Sequence, residues 1–222
     1  MCSIRSARIY SHDLPDYRAR WRASGKNRWN GAFYYSKEIV ANIIPKVETD
    51  RPWVTINQEG ACEDGAIVFV HNNLRPDKYD WLKAYSDLIL ICGIPETCNN
   101  VAHLGRAEYL PLSVDVGYVQ QFRRPKDMGA AFVGRASKKQ YADGVLPHGT
   151  RSLSGMPRKE LLSNMARYRS VYAVGRCAIE AKILLCDVLP YDSRFPDPSI
   201  WQIVDNSEAA QMLQDILDRI DG

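Results

Sequence analysis

SVYAVGRCAIEAKILLCDVLPYD, residues 170–192, is the stretch that decides the fold. A β-branched and aromatic run, SVYAV, meets Gly175. A helix-forming stretch, Arg176–Leu185, follows, and then a second apolar run, CDVLPYD, at 186–192. Neither run alternates polar with apolar residues, which is how strands covered on both faces of a parallel sheet read. Strand, glycine turn, helix and strand in that order predict a parallel α/β unit.

The same rhythm extends outward. ARIY (7–10), WVTIN (53–57), AIVFVH (66–71), LILICG (88–93), AEYLPL (107–112) and AAFVG (130–134) all read as short strands. Helices are expected over Phe33–Ile44, Lys78–Tyr85, Pro157–Tyr168, Arg176–Leu185 and Ser207–Ile220. Pro157 suits a first helical position, and Leu161, Leu162 and Met165 share one face of the helix behind it. Ala210, Leu213, Ile216, Leu217 and Ile220 form such a face in the last helix. The fold class is therefore α/β with mostly parallel sheets. The polar, basic stretch VDVGYVQQFRRPKDMG (114–129) separates two strand series, so a boundary is expected there. The segment 136–155, rich in Gly, Ser and basic residues, reads as a long loop of functional character.

Composition narrows the class. The 222 residues leave room for one large core or two small ones. A net charge of +3, from 29 basic and 26 acidic residues, is too small to argue for nucleic acid by itself. No apolar run approaches the roughly 18–20 residues of a membrane helix. The opening MCSIRSARIYSHD has no apolar signal core, so a cytoplasmic location is expected. The six cysteines form no CxxC pair and no zinc-type spacing with histidine, and they read as free thiols, mostly buried.

Four constellations could carry chemistry. In AFVGRASKK (131–139) a strand ends before Gly134, and Arg135, Lys138 and Lys139 follow. Basic side chains at the carboxyl end of a parallel strand suit phosphate, though a solvated basic turn has the same composition. In the opening stretch, Gly175 and Arg176 begin a helix that carries Glu180. Its start favours phosphate, and its carboxylate could take a ribose diol or simply complement the helix dipole. His12 and Asp13, and His71, Asn72 and Asn73, stand at strand ends, where a base or a packed polar residue are both natural. RARWRASGKNRWNGAFYYSK (18–37) interleaves basic residues with Trp21, Trp29, Tyr34 and Tyr35, a composition suited to sugar rings or nucleic-acid bases and equally to core anchors.

Residues 108–192 resemble the second half of GT-B glycosyltransferases. YLPLSVDVGYV is similar to the interdomain P-x-G-V-D-aromatic stretch, with Pro111, Val114, Asp115 and Tyr118 matching and Ser113 in place of the glycine. FVGR followed by lysine resembles the phosphate-binding Arg and Lys, on Arg135 and either Lys138 or Lys139. Glu180-Ala181 matches the E-A pair of the nucleotide-binding strand–helix–strand, while Tyr172 stands where an earlier glutamate is common, and the E-G-F-G stretch is missing.

The resemblance implies two Rossmann-like halves facing a cleft, an acceptor-side domain at 1–113 and a nucleotide-sugar domain at 114–222, and a terminal helix that crosses back onto the first half. It implies hexosyl transfer from a nucleotide-diphosphate sugar to an acceptor hydroxyl, with that sugar as co-substrate and no metal or other cofactor. Gly134, Arg135, Lys138, Lys139, Gly175, Arg176 and Glu180 would bind the donor nucleotide. Asp13, His12 or His71 would be catalytic, and Trp29 and Asn72 would line the acceptor. The acceptor could be a small molecule, a glycan or a hydroxymethylated DNA base. A nucleotide- or sugar-binding protein without turnover fits the same pattern. A dehydrogenase does not, because no G-x-G-x-x-G follows a strand.

Overall fold

IVFV at Ile67–Val70 and ILIC at Ile89–Cys92 are buried at every position. Such strands need cover on both faces, and a parallel sheet provides it. The computed structural model describes residues 8–10, 31–55, 62–70, 76–134, 142 and 144–222. Two compact units divide the chain, one of Met1–Pro111 with Asn206–Gly222 and one of Leu112–Asp205.

The first unit holds a five-stranded, wholly parallel sheet. Its strands are β1 (Ile9–Tyr10), β2 (Trp53–Val54), β3 (Ile67–Val70), β4 (Ile89–Cys92) and β5 (Arg106–Tyr109). They lie in sequence order, with no reversal among the described strands. The edge strand β5 carries Arg106 and Glu108, whose side chains pair at 3.1 Å, and charge on an edge discourages pairing with another sheet. Val54, Val68, Val70, Leu82, Leu88, Leu90, Cys92 and Val101 form a core on one face of this sheet.

The helix expected over Phe33–Ile44 divides into three pieces. α1 covers Gly31–Glu38, a π-helical turn follows at Ile39–Ile43, and a 3₁₀ turn at Ile44–Lys46. Pro45 is the physical reason. It has no N–H to donate, and its ring would clash with the carbonyl four residues back in a continued α-helix. The helix expected over Lys78–Tyr85 is a 3₁₀ segment, Pro76–Ala84. α2 (Pro95–Val101) follows β4 directly.

The second unit opens with α3 (Val116–Gln120), capped by the Asp115 carboxylate, which accepts from Tyr118 N at 2.8 Å. Its sheet contains β6 (Met128–Val133), β7 (Arg151–Ser152), β8 (Tyr168–Ala173) and β9 (Asp187–Leu189), all parallel, in the order β7-β6-β8-β9. α4 (Arg158–Met165) precedes β8, and α5 (Arg176–Ile183) joins β8 to β9. The strand β7 lies inside the stretch read as a loop at 136–155.

α6 (Asn206–Asp221) belongs to the first unit. This placement differs from a contiguous division into 1–113 and 114–222. Ala209, Ala210, Leu213, Ile216 and Leu217 are its buried face, and it packs on the turns at Ile39–Lys46. Polar ties line its margin. Lys46 Nζ donates to Ser207 Oγ at 2.7 Å, Glu48 N to Gln214 Oε1 at 2.7 Å, and Arg51 Nη2 to Asp221 Oδ1 at 2.8 Å.

Candidate functional site

Strand order points to a candidate site in the second unit. From β6 the chain pairs β7 on one side and then crosses to place β8 on the other. Where the order reverses, the connections leave the two strands on opposite faces and open a crevice outside their carboxyl ends. Those ends are Val133 and Ala173, which are register partners, and beside them Phe132 pairs with Ser152 and Tyr172 with Leu189. Gly134, Ser154, Gly175 and Tyr191 therefore follow the strands at the same edge.

Gly134 lies against aromatic rings. A Cβ there would stand 2.7 Å from Phe132 Cζ and 3.2 Å from Tyr191 Oη. Its carbonyl accepts from Ser154 Oγ at 2.5 Å, and Ser152 Oγ donates to Ser154 Oγ at 2.9 Å. The rings of Phe132 and Tyr191 meet edge to face, with centroids 4.9 Å apart. Burial is the main cause that pushes the Tyr191 phenol well above its ordinary range, with the nearby Asp192 charge adding to it. Tyr191 therefore stays a neutral hydroxyl. Asp192 is fixed by Arg194, whose Nε and Nη2 donate to the two carboxylate oxygens at 2.8 and 2.6 Å.

Gly175 starts α5 with φ +64° and ψ −142°, a conformation essentially restricted to glycine. It turns the chain from β8 into the helix, whose first N–H groups have no intrahelical partner. Glu180 sits one turn further on and is 1% exposed. Its Oε1 accepts from Arg158 Nη1 at 2.5 Å, and Arg176 Nη2 lies 3.9 Å from the same oxygen. Its Oε2 has no hydrogen-bond partner. Two guanidinium groups thus stand beside one buried carboxylate near the strand reversal. The unpartnered Oε2 of Glu180 can accept a hydrogen bond from a hydroxyl.

Of the expected donor residues, Gly134, Gly175, Arg176 and Glu180 lie in this unit, beside the carboxyl ends of β6 and β8. Arg135, Lys138 and Lys139 lie outside the described residues, as do His12, Asp13, Trp29, His71 and Asn72. The sequence reading missed Arg158, Ser154 and Tyr191. Arg158 follows a helix-starting proline, a visible signal, but its partner lies 22 positions away, and no local pattern joins the two. Among the described residues no group of three or more His, Cys, Asp or Glu side chains could hold a metal ion, and no helix is long and apolar enough to cross a membrane.

Comparison with protein-family models, with curated proteins and with solved structures gives no match.

Proposed function

We propose that the chain is a glycosyltransferase that takes its sugar from a nucleotide diphosphate, with the second unit as the donor-binding half of a GT-B-like, two-domain enzyme and the first unit supplying the acceptor side. The observation that carries this reading is the reversal of strand order between β6 and β8, with a glycine after each strand and the Arg158–Glu180–Arg176 cluster beside them.

Each residue has a role in that reaction. Gly134 keeps the backbone low after β6, so that a diphosphate can approach the chain. The turn at Gly175 aims the start of α5 at the same place. Arg135, Lys138 and Lys139 neutralise the charge that grows on the leaving diphosphate as the glycosidic bond to it breaks. Arg158 and Arg176 fix the Glu180 carboxylate. Glu180 Oε2 accepts from a ribose hydroxyl. At 1% exposure the carboxylate meets a ligand only when the residues over it give way, so donor binding involves a local rearrangement. Asp13, His12 or His71 takes the acceptor proton.

A second reading, a nucleotide- or sugar-binding protein without turnover, is favoured by the same burial, because Glu180 is already engaged by Arg158. Calorimetric titration with UDP, GDP, UDP-glucose and NAD⁺ tests both. Tight binding of one nucleoside diphosphate, lost in Arg135→Ala and weakened in Glu180→Ala, supports a donor site. Donor hydrolysis or transfer then separates the enzyme from the binding protein. No binding to any of the four, or binding unchanged in both variants, removes the basis of the site.

A further inference from the structure

The second sheet has an edge that the transfer reaction does not use. It is formed by the amino ends of the strands, opposite the edge where Gly134 and Gly175 stand. The register gathers the chain there. Met128 pairs with Tyr168 and Ser170 with Asp187, so the residues before β6, the start of β8 and the start of β9 lie side by side. α5 ends at the same place, because only Leu184, Leu185 and Cys186 separate it from β9. Residues 123–128, 167–169 and 185–187 bring five cations to this edge, Arg123, Arg124, Lys126, Arg167 and Arg169, against two carboxylates, Asp127 and Asp187.

Part of that charge holds the fold. Arg123 Nε donates to Ile183 O at 2.7 Å and Lys126 Nζ to Leu184 O at 2.6 Å, which satisfies carbonyls at the end of α5. Lys126 Nζ also donates to Ala166 O and Cys186 Sγ, at 2.8 and 3.1 Å. Arg167 holds Asp127 through two hydrogen bonds, at 3.1 and 2.6 Å. Arg123, Arg124 and Arg169 are exposed, and among the described residues none of the three pairs with a carboxylate.

Leu185 follows the two carbonyls that Arg123 and Lys126 hold. It is 68% exposed and has φ +62°, a left-handed conformation that glycine adopts freely and leucine does not. Its N–H donates to Lys182 O at 2.9 Å, and that of Cys186 to Ala181 O at 2.9 Å, the pattern in which a glycine commonly ends a helix. The half-buried rings of Tyr118 and Phe122, centroids 5.3 Å apart, stand just before Arg123, and their helix α3 packs on α5.

We propose that this edge of the second unit docks on an anionic lipid surface, with Arg123, Arg124 and Arg169 on the headgroup phosphates and Leu185 entering the boundary of the acyl chains. Exposed arginines alone suit any polyanion. The leucine makes the distinction. Held out in water in a conformation that is costly for it, it gains nothing from a nucleic-acid backbone and gains its burial from a bilayer. The contact is peripheral, since no described helix is long and apolar enough to cross a membrane. The edge binds the surface whether or not the opposite edge takes a nucleotide.

The test is flotation of the full chain with vesicles on a density gradient. Vesicles of phosphatidylcholine and phosphatidylglycerol in equal parts should carry the protein at low salt and release it at high salt, and vesicles of phosphatidylcholine alone should not carry it. Each arginine near an anionic surface is worth about fivefold in affinity, so Arg124→Glu with Arg169→Glu should weaken binding by about 25-fold or more. Leu185→Gly separates docking from folding. It relieves the left-handed strain, so the unfolding midpoint should hold or rise, while binding falls about tenfold. The proposal is overturned if the chain does not float with the anionic vesicles, if it floats equally with neutral ones, or if these variants, folded by circular dichroism, bind as the parent does. It is equally overturned if duplex DNA holds the chain, through the same arginines, at a salt concentration that releases it from the vesicles.

Discussion

Arg158 Nη1 and Glu180 Oε1 stand 2.5 Å apart, with the glutamate 1% exposed and the arginine side chain 14% exposed. The pair ties α4 to α5. Removing one partner leaves the other's charge desolvated without full compensation. Arg158→Ala should therefore destabilise the second unit by about 3 kcal/mol, while the double variant Arg158→Met with Glu180→Leu should cost less than Arg158→Ala alone. Urea unfolding monitored by fluorescence checks the order, and a double variant weaker than the single one would show that the pair itself is not the source.

Gly134→Ala places a methyl group 2.7 Å from Phe132 Cζ. Phe132 is buried and wedged edge to face on Tyr191, so the ring has little freedom to move. An overpacking penalty of about 1–3 kcal/mol is expected. Under the proposed function, nucleoside diphosphate affinity falls as well. Thermal unfolding and calorimetry read the two effects separately.

Gly175→Ala tests backbone conformation without adding bulk. At φ +64° and ψ −142° an alanine is strained by about 1–3 kcal/mol. Circular dichroism should show the fold retained, with a lower unfolding midpoint. An unchanged midpoint would mean that the turn adopts another conformation freely.

Cys62 and Cys98 should differ in how alkylation depends on pH, because only the thiolate reacts. With its thiol pushed up to about 11 by burial, Cys62 gains reactivity steadily through the alkaline range and reaches its plateau near that value. Cys98, whose thiol is lowered chiefly by the Cys92 thiol, should level off first. Iodoacetamide rates per residue, read by mass spectrometry over a pH series, decide it. Plateaus in the reverse order would contradict the thiol environments described for both residues.

Leu213→Ala probes the return of α6 to the first unit. Leu213 is 0% exposed and sits at the middle of the helix's buried face. A loss of about 2–5 kcal/mol is expected. Chemical unfolding measures it. A loss near zero would show that α6 adds little to that core.

The strands were the most legible part of the chain. Eight of the nine announce themselves as short runs that are mostly apolar, because a parallel sheet is covered on both faces over most of its area, even where an edge strand such as β5 carries Arg106 and Glu108. The exception is β7, two residues of sequence RS, whose placement comes from pairing with β6 and not from its composition. α2 was missed because PETCNNV has no apolar stripe, and α3 because five residues are too few to show a period. The π turn before Pro45 was readable in principle from proline's chemistry, but the apolar spacing of Ile39, Ile43 and Ile44 suits an ordinary helix equally well. At the candidate site the glycines and Glu180 were visible from local order alone. Arg158, Ser154 and Tyr191 were not, since they reach the same edge only through the register of β6, β7, β8 and β9.

The first unit closes with a helix that the ribosome makes after the whole of the second. The ends of the second unit lie side by side, with Val114 bridged to Asp205 and Val114 N donating to Val204 O at 3.1 Å. It is therefore an insertion with adjoining ends, whose segments are all in hand before α6 exists. The apolar face on Ile39–Lys46 that α6 covers has to wait, exposed, through the synthesis of residues 112–205. The usual amino-to-carboxyl order of domain folding is thus inverted in this chain. The interval before α6 arrives is when the first unit is most exposed to aggregation and to chaperone binding.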